Sequence, residues 1–373
     1  MQENKTKQLK ICHLSSAHAD GDIRIFHKEC VSLAEAGNEV HLIIPNTKSR
    51  TEKGVIIHSF DFKPSGRIKR FISTTYRTYK IARKIDADIY HFHDPELLPY
   101  GLKLKRKGKH VIYDAHEDVP RQILGKHWIP GLIRSTISRI FEKYENYVAK
   151  RLSYIVVSTP TIKKRFEKIN PKCMDICNYP ILEENTDLVS WDNRKNEVCY
   201  IGGITEIRGI KELVESLKYN AEVTLNLAGK YSPDSFRDDL AGIESWKQVR
   251  EYGYVGRAEV IEILNRSKVG MVTLYPQENY LDSLPIKLYE YMLSGMPVVA
   301  SNFPLWKQII ADSDCGICID PKDPQEIATA IRFLLDNNDR AREMGLNGRK
   351  SVLEKYNWSI ENQKLISIYQ SLS

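Results

Sequence analysis

Two carboxylates separated by seven residues flank the start of one predicted helix. Asp282 precedes the helix and Glu290 lies within its first two turns. Pro285 suits the first turn, where backbone N–H groups are unpaired, and Gly295 ends the helix, so we predict a helix over about 284–294. The N-terminus of a helix attracts phosphate, and a carboxylate can accept two hydrogen bonds from a vicinal diol. A nucleotide offers both groups, whereas an isolated Glu290 would be only a solvated surface charge.

The same stretch continues from Gly295 as Gly-x-Pro-Val-Val-Ala. Acid-x7-acid followed by this segment resembles the signature of the retaining GT-B glycosyltransferases of family GT4, in which the motif is usually Glu-x7-Glu. The resemblance implies that Glu290 binds the ribose of a nucleotide-sugar and that Asp282, shorter than the usual Glu, contacts the donor sugar. It also implies that the helix N-terminus near Ser283 and Leu284 stabilises the leaving diphosphate.

A second segment, Gly202-Gly-Ile-Thr-Glu-Ile-Arg-Gly, resembles the GT4 pattern Gly-Arg-x4-Lys-Gly, whose cations neutralise the diphosphate. Arg208 matches the Lys. Gly203 occupies the position of the usual Arg, so one cation is missing or comes from elsewhere, and Lys287 is the candidate. The loop that starts at Tyr254 matches the loop that frames the nucleobase. The donor-binding residues implied by the resemblance are Gly202, Gly203, Arg208, Tyr254, Val255, Ser283, Leu284, Lys287 and Glu290.

Polar residues also follow the first predicted strand, at His18, Asp20 and Asp22. This loop is not GxGxxG, so it lacks the dinucleotide-binding pattern and argues against an NAD enzyme. We predict that His18 and Asp20 contact the acceptor. Asp22 either contacts the acceptor or caps the helix that starts at Ile23.

Two more strand ends carry His and acidic residues, namely His93-Asp94 and His116-Glu117. We assign His93, Asp94 and Glu117 to the acceptor side, where His93 and Asp94 either order their loop or contact the acceptor. The resemblance implies that His116 faces the donor sugar. These residues lie on separate strand ends and lack the His-x3-His spacing of zinc enzymes. We therefore expect no metal and no cofactor apart from the nucleotide-sugar co-substrate. The predicted catalytic set is His116, Asp282, Glu290 and Arg208.

Short aliphatic strands alternate with amphipathic helices in both halves of the chain, which is typical of parallel sheets covered by helices. We predict an α/β protein of the GT-B class, with two doubly wound Rossmann-like domains facing across a cleft. Ligands in such folds lie at the carboxyl ends of the strands. The predicted strands are Leu9–Ser15, Val40–Ile44, Val55–Phe60, Asp88–Phe92, Val111–Asp114, Tyr154–Val157, Val198–Ile201, Val223–Leu227, Gly270–Leu274, Val298–Ser301 and Gly316–Ile319.

Charge divides the chain of 373 residues into two parts. Residues 1–180 carry 33 Lys/Arg against 19 Asp/Glu, and residues 181–373 carry 22 against 29. We predict an N-terminal acceptor-side domain over 1–180, a linker over 181–196 and a nucleotide-sugar-binding domain over 197–357. The C-terminal helix, about 358–373, is expected to pack back on the first domain.

Composition is that of a soluble globular protein. The sequence contains no run of 18 apolar residues and begins with a polar segment, so we expect no membrane-spanning helix and no secretion signal. Seven scattered cysteines argue for reduced thiols rather than a disulfide framework. The pair Cys315 and Cys318 has no second pair at zinc spacing, so we assign it no metal or redox role. We expect a cytoplasmic location, extending to the inner face of the membrane.

Residues 62–85 contain eight Lys/Arg and no acid, and Lys103–Lys109 adds five basic residues. The basic residues of 62–85 are interleaved with Phe62, Ile68, Phe71, Ile72, Tyr76 and Tyr79. No nucleic-acid-binding motif accompanies this segment, so we exclude nucleic acid as a partner. A solvated helix face is one alternative. An anionic membrane surface is the other, because its lipids attract basic residues and its interface accepts aromatic side chains.

The sequence therefore predicts a retaining glycosyltransferase that moves a sugar from a nucleotide-sugar to an acceptor hydroxyl. A UDP-sugar is expected on frequency within such enzymes, and the acceptor is expected to be a glycan or a lipid-linked glycan of a surface polysaccharide such as capsule or O-antigen. Two alternatives remain, namely a nucleotide-sugar 2-epimerase of the same fold and a catalytically silent sugar-nucleotide-binding subunit.

Overall fold

Alternating strands and helices build a parallel sheet in each half of the chain. The computed structural model describes residues 8–62, 66–125, 129–182, 188–278 and 280–373. The first unit comprises the chain up to Asn178 together with Trp358–Ser373, and the second comprises Tyr179–Asn357. Each unit has its own buried apolar core.

The first unit contains an eight-stranded sheet in the order β3-β4-β2-β1-β5-β6-β7-β8. All neighbouring strands are parallel except β3 and β4. The chain order reverses on either side of β1, so β1 and β5 form the switch point at which such folds bind ligands. The strands are β1 Lys10–Leu14, β2 Glu39–Ile43, β3 Arg50–Glu52, β4 Val55–His58, β5 Ile89–Phe92, β6 His110–Ala115, β7 Tyr154–Val157 and β8 Cys173–Asp175.

A π-helix, Ile23–Cys30, follows β1 and continues as a short α-helix, so a helix does start at Ile23 as the sequence predicted. Helices α2, α3 and α5 contact one another in sequence order. The helices are α1 Val31–Glu35, α2 Arg67–Ile85, α3 Leu98–Lys105, α4 Val119–Gly125, α5 Gly131–Ala149 and α6 Pro160–Phe166, with a 3-10 turn at Pro95–Leu97.

Side chains alternate between the two faces of β1 and β5. Cys12 and Leu14 of β1 join Tyr90 and Phe92 of β5 in the core beneath α2, α3 and α5. The opposite face therefore presents His13, and it receives the π-helix. This face carries the polar groups of the first unit.

The second unit contains a six-stranded parallel sheet in the order β11-β10-β9-β12-β13-β14, with its switch point at β9. Its strands are β9 Lys195–Ile201, β10 Thr224–Ala228, β11 Val249–Gly253, β12 Ser267–Val272, β13 Val298–Ser301 and β14 Gly316–Ile319. Its helices are α7 Ile210–Ser216, α8 Phe236–Ala241, α9 Arg257–Arg266, α10 Ile286–Leu293, α11 Pro304–Ser313, α12 Pro324–Asp336 and α13 Asn338–Glu354. Single 3-10 turns lie at Trp191–Asn193, Glu206–Arg208, Leu217–Tyr219 and Glu244–Gln248.

The last helix, α14 (Trp358–Gln370), lies in the first unit. Trp358 Nε1 donates a hydrogen bond to Ser32 Oγ at 2.9 Å, and the Cys177 backbone N–H donates to Glu361 Oε2 at 2.8 Å. The hydroxyl of Tyr369 lies 2.7 Å from His91 Nδ1. The C-terminus is thus attached to the polar face of the first sheet.

Part of the segment predicted as a linker belongs to the second unit in the structure. Trp191 belongs to the core of the second unit, and Arg194 is buried, with its guanidinium donating to the backbone oxygens of Leu264, Ser267 and Ser294. The strand β9 already begins at Lys195. Residues 188–196 are therefore part of the second unit, and 183–187 lie outside the described residues.

Among the described residues, none of the helices combines the length and the hydropathy needed to cross a bilayer. All seven cysteines are free thiols, and six of them are buried.

Candidate active site

Arg208 is held by a tight turn at the carboxyl end of the second sheet. Gly209 follows it with φ 66°, in the left-handed region. A Cβ atom at this position would lie 2.0 Å from the backbone oxygen of Thr273, so only glycine fits. The Thr273 hydroxyl donates to the Arg208 backbone oxygen at 3.0 Å. The turn therefore joins the start of α7 to the end of β12 and fixes the backbone of Arg208.

Two glycines bring the ends of β9 and β10 together. The Gly202 N–H donates to the Ala228 backbone oxygen at 2.9 Å, and a Cβ on Gly229 would lie 1.8 Å from the Gly202 oxygen. The open backbone at Gly202 and Gly203 leaves space beside Arg208, since a Cβ on Gly203 would lie 3.5 Å from Arg208 Cζ. A phosphate can approach such a backbone closely.

Lys287 places a second basic side chain beside this space. Its Nζ is buried and has no hydrogen-bond partner among the described residues. It lies 3.7 Å from the centre of the Tyr200 ring, and a Cβ on Gly202 would be 2.8 Å from it. Burial, and then the charge of Arg208, lower the pKa of Lys287 well below its usual value, while Glu290 opposes them. An anion bound at Gly202 would restore the charged form.

The helix that carries Glu290 starts later than predicted. It spans Ile286–Leu293, and Pro285 is its N-cap residue with ψ 125°. Ser283 and Leu284 therefore precede the helix, so the free N–H groups belong to its first residues, from Ile286 onward. Proline lacks an N–H and fits outside the helix as well as in its first turn.

The turn before this helix is anchored to the second unit. Trp306 Nε1 donates to the Ser283 backbone oxygen at 2.7 Å, and the Ser283 hydroxyl donates to the Tyr280 oxygen at 2.9 Å. Asp282 lies exposed in this turn. Its carboxylate is thus accessible to a substrate.

Glu290 has a partner that the sequence analysis did not identify. Arg257 Nη1 donates a hydrogen bond to Glu290 Oε1 at 2.6 Å, and the Glu290 side chain is 22% exposed. Arg257 is the first residue of α9 and directly follows the loop of Tyr254 and Val255. Tyr254 is 88% exposed and Val255 is half-buried, so the aromatic ring is free to stack on a base.

The first unit collects the other predicted site residues at the ends of β1, β5 and β6. Asp94 is buried and accepts hydrogen bonds from the Ser16 N–H at 2.6 Å and the Ser15 hydroxyl at 2.9 Å. His18 Nδ1 lies 3.1 Å from Asp94 Oδ1. Burial raises the pKa of Asp94, but His18 and the serine donors outweigh burial and lower it to about 2. Asp94 therefore fixes the loop that carries His18.

His116 is oriented by a buried carboxylate. Its Nε2 lies 2.9 Å from Asp114 Oδ2, and Arg24 donates to both oxygens of Asp114 at 3.0 and 2.9 Å. Although burial raises the pKa of Asp114, Arg24 and His116 hold it well below its usual range. His93 Nδ1 lies 3.2 Å from the same Asp114 oxygen. Because its Nε2 is engaged, His116 has Nδ1 left for a substrate, and its side chain is 19% exposed.

The remaining predicted acceptor residues have structural partners. Asp22 caps the π-helix, accepting from the N–H groups of Arg24 and Ile25 at 2.9 Å each. Asp20 accepts from Arg50 Nη2 at 3.0 Å and from the Thr47 hydroxyl. Glu117 is exposed and accepts from Gln122. Of the two alternatives for Asp22, the structure shows capping.

Two sequence-family models match this chain. The model described as Glycosyltransferase Family 4 matches residues 24–176, and the model described as Glycosyl transferases group 1 matches residues 183–351. The two matches together include most of the described site. The chain belongs to glycosyltransferase family 4.

The relatives described next align with most of this chain, although their sequence identity to it is low. The phosphatidyl-myo-inositol mannosyltransferase of Mycolicibacterium smegmatis is 23% identical, over 91% of this chain and 87% of its own. Sucrose-phosphate synthase from Thermosynechococcus elongatus superposes with a TM-score of 0.79 at 16% identity, covering 98% of this chain and 99% of that one. Anabaena HepE in complex with UDP-glucose gives 0.73 at 13% identity, covering 98% and 100%. This chain shares the GT-B fold with these two solved structures.

Arg257, Arg24 and Tyr369 were missed as site residues. Arg257 directly follows the loop that starts at Tyr254, but nothing in its spacing along the sequence pairs it with Glu290. Arg24 reaches Asp114 from the π-helix, and Tyr369 of α14 contacts His91 on β5. The alternation of strands and helices along the sequence cannot show which residue of a distant helix faces a given strand end.

Proposed function

We infer that this glycosyltransferase transfers a sugar from a UDP-sugar to a hydroxyl of a glycan or lipid-linked acceptor, with retention of anomeric configuration. The observation that carries the donor assignment is the pair Arg208 and Lys287. Arg208 and Lys287 both lie beside the open backbone of Gly202 and Gly203, and the amine of Lys287 is buried without a hydrogen-bond partner among the described residues. An anion bound there would stabilise the charged form of this amine, and a diphosphate supplies such an anion.

Departure of the nucleoside diphosphate develops negative charge on the leaving oxygens. Preorganised donors at that position lower the barrier more than any other single contribution. Arg208 and Lys287 supply two such donors, and the N-terminus of α10 adds backbone N–H groups. Lys287 then replaces the Arg that family members carry at the position of Gly203. We propose that no metal ion is needed at the diphosphate.

Glu290 is placed to bind the ribose. Its carboxylate can accept from both ribose hydroxyls while Arg257 holds the carboxylate in place. Tyr254 and Val255 would frame the base. Asp282, exposed in its turn, would contact the donor sugar, and His116, oriented by Asp114, is the residue of the first unit that we assign to the same sugar.

A groove in the first unit supports a membrane-proximal acceptor. The groove has a volume of about 730 Å³, and both aromatic and basic residues line it, including Phe62, Tyr76, Arg77, Lys80 and Lys84. Phe71, Ile72 and Tyr76 of α2 are 49, 60 and 50% exposed. Basic residues beside exposed apolar side chains are typical of a surface that binds anionic lipids. Lys63 lies outside the described residues, and so do the side chains of residues 67–70.

The comparisons are consistent with this choice of substrates. The mycobacterial relative is named for mannosyl transfer to phosphatidyl-myo-inositol, a lipid acceptor. HepE was solved with UDP and with UDP-glucose. We therefore propose a role in the assembly of a cell-surface polysaccharide or a lipid-linked glycan, such as capsule or O-antigen, at the inner face of the membrane.

A donor screen tests the proposal against its alternatives. The full chain is incubated with UDP-, GDP- and ADP-sugars, with and without a membrane extract that contains lipid-linked glycans. The proposal predicts nucleoside diphosphate release that depends on the extract and is greatest for a UDP-sugar. A changed nucleotide-sugar without acceptor would indicate a 2-epimerase. Binding without any turnover would indicate a silent sugar-nucleotide-binding subunit.

A further inference from the structure

Three histidines and one glutamate meet on the polar face of the first sheet. His13 lies on β1, His91 on β5, His93 directly after β5, and Glu29 on the π-helix. The side chains of His13, His91 and Glu29 are fully buried, and His93 is 2% exposed. One ligand atom from each lies within 4.8 Å of every other.

The distances fit a single central ion. Glu29 Oε2 lies 3.9 Å from His13 Nδ1, 3.8 Å from His91 Nδ1 and 4.0 Å from His93 Nε2. His13 Nδ1 and His93 Nε2 are 2.9 Å apart. Ligand atoms around a tetrahedral Zn²⁺ are about 3.4 Å apart, because each lies about 2.1 Å from the metal. These four separations lie within about 0.6 Å of that value, and an ion bound at His91 Nδ1 would replace the contact of that atom with the Tyr369 hydroxyl at 2.7 Å.

The outer nitrogens of two histidines already have the partners that metal-bound histidines need. His93 Nδ1 lies 3.2 Å from Asp114 Oδ2, which leaves Nε2 as the ligand atom. His13 Nε2 lies 3.1 Å from the Tyr369 hydroxyl, which leaves Nδ1 as the ligand atom. Such a contact from the second ring nitrogen to a carboxylate or another oxygen fixes the ring and its tautomer.

Glu29 supplies an independent indication. Neither of its carboxylate oxygens accepts a hydrogen bond among the described residues, although both are buried. Arg24 Nε lies 3.1 Å from Glu29 Oε1 but donates its hydrogen bond to Asp114. The carboxyl groups of Glu29 and Asp114 thus share the single guanidinium of Arg24. A buried carboxylate without hydrogen bonds is costly unless it is neutralised or coordinates a metal.

We propose that His13, Glu29, His91 and His93 form a four-ligand structural site for a divalent transition-metal ion of the Zn²⁺ type. Three imidazoles and one carboxylate suit this class of ion, and a closed site without a water position is typical of a structural role. The ion would join β1, β5 and the π-helix and would stabilise the loops that carry His18 and His116. The expectation of no metal came from sequence spacing, which could not show that β1 lies beside β5.

Metal content of the full chain tests the site. The protein is produced with Zn²⁺ in the medium, freed of any affinity tag that binds metal, and analysed by elemental mass spectrometry. We expect about one equivalent of metal, and a protein grown with Co²⁺ should show the visible absorption of a four-coordinate ion. Glu29→Gln and His91→Gln should lose the metal and lower the Tm.

His58→Gln is the matched control. His58 Nε2 contacts His41 Nδ1 at 2.9 Å, and His41 Nε2 contacts Glu39 Oε1 at 2.9 Å, but Glu39 is 40% exposed and also paired with Lys10. This variant should keep the metal. If a site variant fails to fold, the wild-type measurements decide alone. A folded wild-type protein with less than about a tenth of an equivalent of any transition metal, and without a Co²⁺ spectrum, would overturn the proposal.

Discussion

Arg257 Nη1 and Glu290 Oε1 form a hydrogen bond of 2.6 Å between the first residue of α9 and the middle of α10. The pair joins the loop of Tyr254, assigned to the base, to the carboxylate assigned to the ribose. A guanidinium at this distance orients the carboxylate and restricts its rotamers. The proposed ribose site is therefore preorganised before a donor binds.

Replacing Glu290 by Ala should weaken donor use at least tenfold. Hydrogen bonds to a charged group contribute about 1.5–3 kcal/mol each, and the proposed site loses two of them. Steady-state kinetics with varied donor checks this, with the acceptor KM as an internal reference. A folded Glu290→Ala protein with unchanged donor KM and kcat would exclude Glu290 from the donor site.

Replacing Arg257 by Ala tests the pairing separately. Glu290 remains but loses its orienting partner, so the donor KM should rise several-fold with little change in kcat. Arg340→Ala is the control, because Arg340 Nη1 donates to Asp314 at 2.9 Å, and Asp314 precedes β14, at the opposite edge of the sheet from the proposed site. Equal effects of the two arginine variants would mean that the Arg257–Glu290 pair has no special role.

Replacing Arg208 by Ala should lower kcat by about a hundredfold, as expected when one donor to a developing anion is removed. Arg208→Lys should keep part of the activity, since the family residue at this position is Lys. The measurement is kcat at saturating donor. Full turnover by Arg208→Ala would place the diphosphate elsewhere.

Glu197 should make the second unit sensitive to acid. Burial raises the pKa of this carboxyl, but hydrogen bonds from Arg266, Asn226 and Arg250 outweigh burial and lower it to about 2. Because the folded-state pKa lies below the unfolded value of about 4.3, the stabilisation is complete above that value and is lost as pH falls towards 2. The Tm difference between wild type and Glu197→Gln should thus be large at neutral pH and small near pH 3.

Glu244→Gln, at a side chain that is 91% exposed, is the control for this measurement and should leave the Tm unchanged. A Tm difference for Glu197→Gln that stays constant across the pH range would contradict the assignment.

Vesicle co-sedimentation tests the membrane surface. Arg77, Lys80 and Lys84 line the groove of the first unit, and each contributes about 1 kcal/mol near an anionic surface, so reversing all three to Glu should weaken binding by roughly a hundredfold. Reversing Lys211 and Lys247 of the second unit should have little effect. Equal, negligible binding of the wild type to anionic and neutral vesicles at low salt would remove the membrane surface from the account.

The sequence predicted the interior strands well and missed three others. Arg50–Glu52, Cys173–Asp175 and Val249–Gly253 are the missed strands, and each lies at the edge of its sheet. Edge strands are short or polar because one side has no partner, so the aliphatic runs that mark interior strands are absent. Val249–Gly253 carries Arg250 and Glu251 for this reason.

Motif residues were predicted more reliably than their partners. The carboxylate of Glu290 and the guanidinium of Arg208 followed from fixed spacing along one segment. Arg257, which is 33 residues before Glu290, and Tyr369, which is 278 residues after His91, did not. Contacts of this kind depend on the order of the strands in the sheet, which the local periodicity of the sequence does not determine.

We propose above all that Arg208 and Lys287 form the diphosphate site. The most direct test is calorimetric titration with UDP, GDP and ADP, compared with titration with the corresponding nucleosides. In the free protein the pKa of Lys287 is well below its usual value, and a bound diphosphate must raise it, so binding should take up a proton at mildly alkaline pH. At least one diphosphate should bind about a hundredfold more tightly than its nucleoside, because two charge-assisted contacts are added. Proton uptake, measured in buffers of different ionisation enthalpy, should disappear in Lys287→Met. If all three diphosphates bind no more tightly than their nucleosides, or if proton uptake persists unchanged in Lys287→Met, the account is contradicted.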